Sequence, residues 1–172
     1  MGERAVLIAG MHGAVRIERD RSGVPQITAA TLTDAQAGLG YCHARDRGLQ
    51  MLLGRILGRG QASEKLQASE DSLALDRFFR RVNFGRGAAA QEALLSPPAR
   101  AMAEAYSHGV RLYFQSARAP WELRLLGYDV RHDPWTTADI FLLMAALCGV
   151  FILVTLLLPV RTYPPRILLK KE

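Results

Sequence analysis

Residues 33–66 read TDAQAGLGYCHARDRGLQMLLGRILGRGQASEKL, and this stretch decides the fold. Its second half carries apolar residues three and four positions apart, the spacing of one helix face: Leu49, Leu52, Leu53, Ile56 and Leu57. Its first half contains Gly38, Gly40 and Gly48, and a glycine inside a helix costs about 1 kcal/mol relative to alanine. The sequence therefore predicts a helix whose glycines either pack against another backbone or mark a break.

A short β-hairpin is predicted before this helix. Val15 and Ile17 alternate with charged residues, and residues 20–23 have turn chemistry. A second short run, residues 24–28, follows the turn, and its Pro25 suits an edge strand. Thr31 or Thr33 then caps the long helix, with Asp34 in its first turn.

Further helices are predicted after the long one. They are expected over residues 73–81 and 87–95, from Ser96-Pro97-Pro98 onward, and after a cap at Thr136 or Thr137, with an irregular connection over 120–134. The fold class is mainly α, with a short N-terminal β-hairpin and a long apolar helix at the end.

The last helix is unusual because residues 140–158 contain no charged side chain. As a helix this segment is about 28 Å long, close to the hydrocarbon thickness of a bilayer. A helix that is apolar on all sides is either a membrane span or a buried core element. We therefore divide the chain into a domain over 1–139, a candidate transmembrane helix over 140–158 and a basic tail over 159–172.

Composition excludes several classes of site. The net charge of +6 is carried mainly by arginines spread along the chain, without a basic stripe or a nucleic-acid motif, so no nucleic-acid partner is expected. Cys42, Cys148 and the four histidines have no metal-ligand spacing. No metal and no cofactor are predicted.

Several ordered motifs resemble the penicillin acylase family of N-terminal-nucleophile hydrolases. Gly38-Leu39-Gly40-Tyr41 and residues 43–51 resemble its Gly-x-Gly-Tyr and Ala-Gln-Asp-Arg-x-x-Gln-Met blocks, and shorter matches extend over roughly residues 13–140. The matching positions form a structural signature: Asp20, Gly23, Pro25, Gly40, Tyr41, Asp46, Arg47, Gln50, Arg55, Glu64, Trp135 and Asp139. Gln26 and Arg45 depart from the family pattern, which suggests a divergent member.

The resemblance implies the leading (α) chain of an αββα hydrolase. In the family, self-cleavage exposes a Ser that attacks the amide while its own α-amine acts as base. No serine here precedes Asn or follows the last matched block, so we assign no catalytic residue and expect a partner β chain that begins with Ser. The resemblance places acyl-pocket candidates on the last helix, with lipid contact or core packing as the other interpretation: Met144, Leu147, Cys148 and Phe151.

Most signature residues have a simpler structural interpretation. Asp46 and Arg47 are expected to anchor a buried ion pair or a cap, because adjacent helix residues point in different directions. Tyr41, Gln50 and Trp135 are expected to be packing and hydrogen-bond anchors.

Two functional hypotheses follow. The first is the α-chain portion of an amide hydrolase acting on β-lactam or acyl-homoserine-lactone side chains, inactive as an isolated chain. The alternative is an inert, truncated or frame-shifted remnant that is a single-span membrane protein. A location in the membrane or periplasm is expected, although the apolar part of the amino terminus is too short for an export signal.

Overall fold

The computed structural model describes residues 5–116 and 120–157, and side chains as far as residue 149. Its sheet has three antiparallel strands in the order β1-β2-β3: β1 Val6–Ala9, β2 Ala14–Arg19 and β3 Pro25–Thr28. The predicted hairpin is confirmed as β2 and β3, with Ile17 opposite Ile27 and Pro25 on an edge strand. Strand β1 was not predicted.

Seven helices follow within the described ranges. They are α1 Leu32–Gly58, α2 Ala62–Lys65, α3 Glu70–Val82, α4 Phe84–Ala93, α5 Pro97–Ser116, α6 Trp121–Leu125 and α7 Ala138–Leu157. The predicted helices after α1 are all present, with bounds shifted by a few residues. The connection predicted to be irregular contains the short helix α6. The mainly α fold class is therefore confirmed.

Helix α1 runs unbroken, so its glycines serve close packing. A Cβ on Gly40 would lie 2.0 Å from the carbonyl oxygen of Tyr106, and one on Gly109 would lie 1.8 Å from that of Ala37. Helices α1 and α5 therefore cross with their backbones in contact. Only glycine permits this approach, because both distances are far below any real contact of a Cβ.

The start of α1 is held by Thr31 and Asp34. The side chain of Thr31 accepts a hydrogen bond from the backbone N–H of Asp34, which confirms the predicted cap. Buried Asp34 accepts from the backbone N–H of His12 at 2.9 Å, and this bond is the main cause that lowers the pKa of its carboxyl. One carboxylate thus ties the β1–β2 turn to the helix.

Two apolar clusters form the core. The larger one joins α1, α5, α6 and the segment before α7. Its buried side chains include Leu52, Ile56, Val110, Phe114, Leu123 and Trp135. The smaller one packs Val15 and Ile17 of β2 against Cys42 of α1. Both clusters include residues of α1, so this helix is the centre of the molecule.

The predicted membrane span is not supported. Among the residues that the structure describes, no helix has the length and apolarity needed to cross a bilayer. Helix α7 packs on other helices instead: buried Leu142 lies against Gly58 of α1, and Gly149 lies against the ring of Phe84. Residue 158 and the predicted tail 159–172 lie outside the described residues.

Candidate functional site: a buried arginine–carboxylate cluster and an exposed apolar face

Three signature residues from distant parts of the sequence meet in one buried cluster. Arg55 of α1 is fully buried, and its guanidinium carbon lies 5.8 Å from the centre of the Trp135 ring. Its Nη1 lies 3.6 Å from Oδ2 of Asp139, which is also buried. Arg55 Nη2 donates to the backbone carbonyl of Asp133 at 2.8 Å. The signature thus includes a cation held by an aromatic face and by carboxylates.

Three further residues complete the cluster, and the sequence did not predict them: Arg59, Tyr128 and Asp133. Arg59 donates to Asp133 at 3.0 Å and to Asp139 at 2.6 Å, and Arg55 donates to the hydroxyl of Tyr128. Burial acts to lower the pKa of Arg59, but the carboxylates of Asp139 and Asp133 outweigh it and raise the pKa. Burial raises the pKa of Tyr128. Helical spacing could have identified Arg59, since it lies one turn after Arg55 on the same side of α1.

The cluster fixes the start of α7 on the end of α1. Asp139 Oδ2 accepts from the backbone N–H and the hydroxyl of Thr136, at 2.8 and 2.9 Å, while Oδ1 faces Arg59. Thr136 and Thr137 therefore precede the helix as predicted, with Asp139 bonding back to Thr136. The cluster thereby positions the amino-terminal end of α7 against α1.

The signature residues near the hairpin build the β2–β3 turn. Asp20 accepts from the backbone N–H groups of Ser22 and Val24, both at 2.9 Å. Gly23 adopts a φ of 79°, a left-handed conformation that favours glycine, and Pro25 begins β3. The turn interpretation of Asp20 agrees with this geometry.

The expected buried ion pair at Asp46 and Arg47 is wrong. Asp46 is exposed and pairs with Arg19 of β2 at 2.7 Å, which links the sheet to α1 across the surface. Arg47 is also exposed and donates to Gln50 at 3.4 Å. Both side chains therefore lie in solvent, and the buried pair forms further along the helix at Arg55.

The remaining signature residues divide between packing and surface positions. Tyr41 packs edge-on against Tyr113, with ring centres 5.4 Å apart, and Trp135 is buried. The indole N–H of Trp135 has no hydrogen-bond partner among the described residues, so Trp135 anchors by packing and through its carbonyl, which accepts from Arg111 at 3.3 Å. Exposed Glu64 pairs with neighbouring Lys65 at 3.2 Å.

Three of the four acyl-pocket candidates lie on a part of α7 that the described residues leave exposed. Met144 and Leu147 are 60% and 69% exposed, and Cys148 is exposed as well. The side chain of Phe151 lies outside the described residues. Beside them, a groove of about 500 Å³ runs between α1, α3 and α7, and Leu147 lines it. The structure brings three of the four candidates to one exposed helix segment.

Polar groups capable of catalysis are dispersed within the described ranges. The hydroxyl of Ser63 donates to buried Asp76 at 2.5 Å, and Ser107 is buried in α5. Exposed His43 lies 3.0 Å from the hydroxyl of Tyr106. The described residues contain no group of three His, Cys, Asp or Glu side chains that could hold a metal ion. These polar groups therefore do not meet at one point within the described residues.

Comparisons with known proteins agree with the motif pattern. The family model described as penicillin amidase matches residues 14–153. Acyl-homoserine lactone acylase QuiP of Pseudomonas aeruginosa is 36% identical over 142 residues, which cover 81% of this chain and 16% of that protein. Penicillin acylase 2 proenzyme of a Pseudomonas species is 33% identical over 144 residues, 83% of this chain and 18% of that protein.

A solved structure gives the same result for the fold. The thermostable penicillin G acylase from Alcaligenes faecalis matches with a TM-score of 0.66 and 21% identity, over 86% of this chain and 74% of that chain. The chain spans about a sixth of the length of the curated relatives it matches. The family model covers most of the sequence in one continuous segment. The chain therefore belongs to the penicillin amidase family.

Proposed function

We propose that the chain is the α-chain part of an acylase that hydrolyses an acyl amide, such as the side chain of a β-lactam or of an acyl-homoserine lactone. Its similarity to an acyl-homoserine lactone acylase and to a penicillin acylase, with about a third of the aligned residues identical, supports this substrate class. The chain supplies scaffold and part of the acyl pocket. A Ser at the amino terminus of a partner chain supplies the nucleophile.

The exposed apolar segment of α7 is the observation that supports this proposal. Met144 and Leu147 are large apolar side chains largely open to solvent, on a helix whose start is held by the buried Arg55–Asp139 cluster. An apolar surface held by a rigid anchor is what a wall of an acyl pocket requires, since binding an aliphatic or aromatic group depends on excluding water. The partner chain completes the pocket.

The reaction follows from the chemistry of an N-terminal serine. Its hydroxyl adds to the amide carbonyl while its own α-amine accepts the proton, so no separate histidine is needed. The α-amine then gives that proton to the leaving amine as the C–N bond breaks, and water cleaves the resulting acyl ester to release the acid and restore the serine. The developing oxyanion requires N–H donors, which the partner provides together with the nucleophile. The residues of this chain hold the acyl group against that centre, and specificity for the acyl group depends on them.

Coexpression tests the proposal. The chain is produced alone and together with a polypeptide that begins with Ser and continues as the remainder of the Pseudomonas aeruginosa relative, and hydrolysis of a chromogenic acyl amide is measured. We expect no hydrolysis by the chain alone and hydrolysis by the pair, lost when that Ser is replaced by Ala. Failure of the pair to hydrolyse any acyl amide in a series from acetyl to dodecanoyl and phenylacetyl contradicts the proposal.

Substitution of Leu147 tests its place in the pocket. Leu147→Ala removes part of the apolar wall and leaves space there, so the ratio of kcat/KM values between long and short acyl groups shifts toward the longer ones, by about 10-fold for a change of this size. Leu94→Ala is the matched control, because Leu94 is an exposed leucine at the end of α4. An unchanged ratio in Leu147→Ala removes this residue from the pocket. The location in the membrane or periplasm stays a prediction, and cell fractionation checks it.

A further inference from the structure

Helix α7 is held from two sides, at its start by α1 and further along by α4. At the start, Asp139 binds Arg59 at 2.6 Å. Further along, Gly149 packs on the ring of Phe84, the first residue of α4, and a Cβ on Gly149 would lie 2.9 Å from Cζ of that ring. From Asp139 to Gly149 the helix advances about 15 Å. The exposed acyl-pocket candidates lie between these two contacts, so both contacts bear on their position.

The ring of Phe84 lies behind the exposed candidates. Successive residues of an α-helix are about 100° apart around its axis, so Gly149 is about 140° from Met144 and about 160° from Leu147. Gly149 therefore faces α4, whereas Met144 and Leu147 are 60% and 69% exposed. Because glycine puts no side chain between the ring and the backbone, the ring sets how far α7 can move back from its exposed side.

Asn83 determines where this ring lies. Its backbone is left-handed, with φ 59° and ψ 47°, a conformation that asparagine adopts more readily than most residues. Its N–H donates to the carbonyl of Phe79 at 2.9 Å and ends α3, and its side chain accepts from the N–H of Arg86 at 3.3 Å and starts α4. With a single residue between the two helices, the direction of α4 follows from that of α3.

Helix α3 is itself fixed, and it supports the ring of Phe84. Buried Asp76 accepts from the backbone of α2 at 2.6 Å, and Arg80 donates to the carbonyl of Gly60 at 2.8 Å. Phe79 packs on Phe84 with ring centres 6.2 Å apart. Close-packed side chains yield little and transmit strain to their neighbours. The ring of Phe84 is therefore a firm support for the part of α7 that lies on it.

We propose that Phe84 is a positioning residue for the acyl group, which acts through α7 and does not contact the substrate. Its ring holds Met144 and Leu147 at the distance from the acyl group that suits one range of acyl sizes. This inference rests on the proposed function and adds to it a residue outside the pocket that determines acyl selectivity. Selectivity responds to such a displacement because one methylene more or less in an apolar pocket changes kcat/KM by about 10-fold or more.

Two substitutions move α7 in opposite directions. Phe84→Ala removes the ring, so α7 moves back and the ratio of kcat/KM values shifts toward bulkier acyl groups, by about tenfold. Gly149→Ala puts a methyl group against the ring and pushes α7 forward, so the ratio shifts toward smaller acyl groups. In the double variant the methyl group occupies space left by the ring, so the two shifts offset each other. Gly85→Ala is the matched control, because a Cβ there meets nothing within 4 Å.

The ratios are measured for the chain paired with the remainder of the Pseudomonas aeruginosa relative, beginning with Ser, on acyl amides from acetyl to dodecanoyl. Amide hydrogen exchange of the chain alone is a readout that needs no activity. We expect faster exchange over residues 144–149 in Phe84→Ala and unchanged exchange in Gly85→Ala, because exchange reports local opening. Phe84→Leu keeps part of the apolar volume and shifts the ratio in the same direction by less, which tests the inference if Phe84→Ala does not fold.

The outcomes separate this inference from the proposed function. A pair that hydrolyses acyl amides with an unchanged ratio in Phe84→Ala, or with an equal loss for every acyl group, overturns the inference and leaves the function standing. Shifts of the same sign in Phe84→Ala and Gly149→Ala also overturn it. Unchanged exchange over residues 144–149 in Phe84→Ala overturns it without bearing on the function. A pair that hydrolyses no acyl amide overturns the function and, with it, the inference.

Discussion

Replacing Asp139 by asparagine removes a buried charge and keeps the size of the side chain. Asp139 neutralises Arg59 at 2.6 Å and faces Arg55 at 3.6 Å, and Arg55 is fully buried, so it cannot exchange its lost partner for water. Removing one member of a buried ion pair costs about 3–5 kcal/mol. Asp133 still lies 3.3 Å from Arg55, so we expect the lower end, about 3 kcal/mol.

Urea unfolding followed by circular dichroism measures this loss. For a domain of this size, about 3 kcal/mol corresponds to a fall in Tm of roughly 6–12 °C. The midpoint should fall with the m-value unchanged, since the surface exposed on unfolding stays the same. Asp46→Asn is the matched control, because Asp46 pairs with Arg19 at a partly exposed site, where an ion pair contributes about 0–1 kcal/mol. A loss in Asp139→Asn no larger than in Asp46→Asn refutes the reasoning.

Four further outcomes are expected. Gly40→Ala prevents folding or lowers the free energy of unfolding by several times as much as an ordinary helix substitution, because its Cβ meets the carbonyl of Tyr106. Gly87→Ala has open space around it, so it raises the free energy of unfolding measured in urea by about 0.5–1 kcal/mol. Burial alone would raise the pKa of Asp76, but hydrogen bonds from Ser63 and Ala62 lower it. Its contribution to stability is therefore full above about pH 4 and is lost as the pH falls through the lower folded-state pKa. The acid unfolding of Asp76→Asn should lack this component. Burial raises the pKa of Cys42, so a thiol reagent should label Cys148 first and Cys42 only on unfolding. Equal labelling rates would contradict the burial of Cys42.

Local chemistry allowed much of the fold to be predicted. The cap at Thr31, the turn at Asp20 and the start at Pro97 depend on neighbours within four residues, and the sequence shows them directly. The glycines of α1 predicted a close approach, but the partner was α5, about 70 residues away. Strand β1 was missed because four residues carry too little pattern, and their pairing with β2 comes from the tertiary fold.

The site was less predictable because its parts meet only in three dimensions. Arg55, Trp135 and Asp139 were identified as signature positions, but nothing in their spacing placed them in one cluster with Arg59. The exposed apolar side of α3, formed by Leu75, Phe78 and Val82, was also not predicted. Its apolar spacing predicts a buried face, and the reversal results from Asp76, which bonds to the backbone of α2 and turns the polar side inward.

The backbone contact between α1 and α5 has a consequence for synthesis on the ribosome. The tight packing of Gly40 on Tyr106 requires a segment that emerges about 70 residues later. At ordinary translation rates that delay lasts roughly 4–14 s, and closing such a loop costs on the order of 4 kcal/mol from its length alone. During this interval the apolar face of α1 has no partner from α5. Slower translation between Gly40 and Tyr106 lengthens the time for which this face stays without that partner.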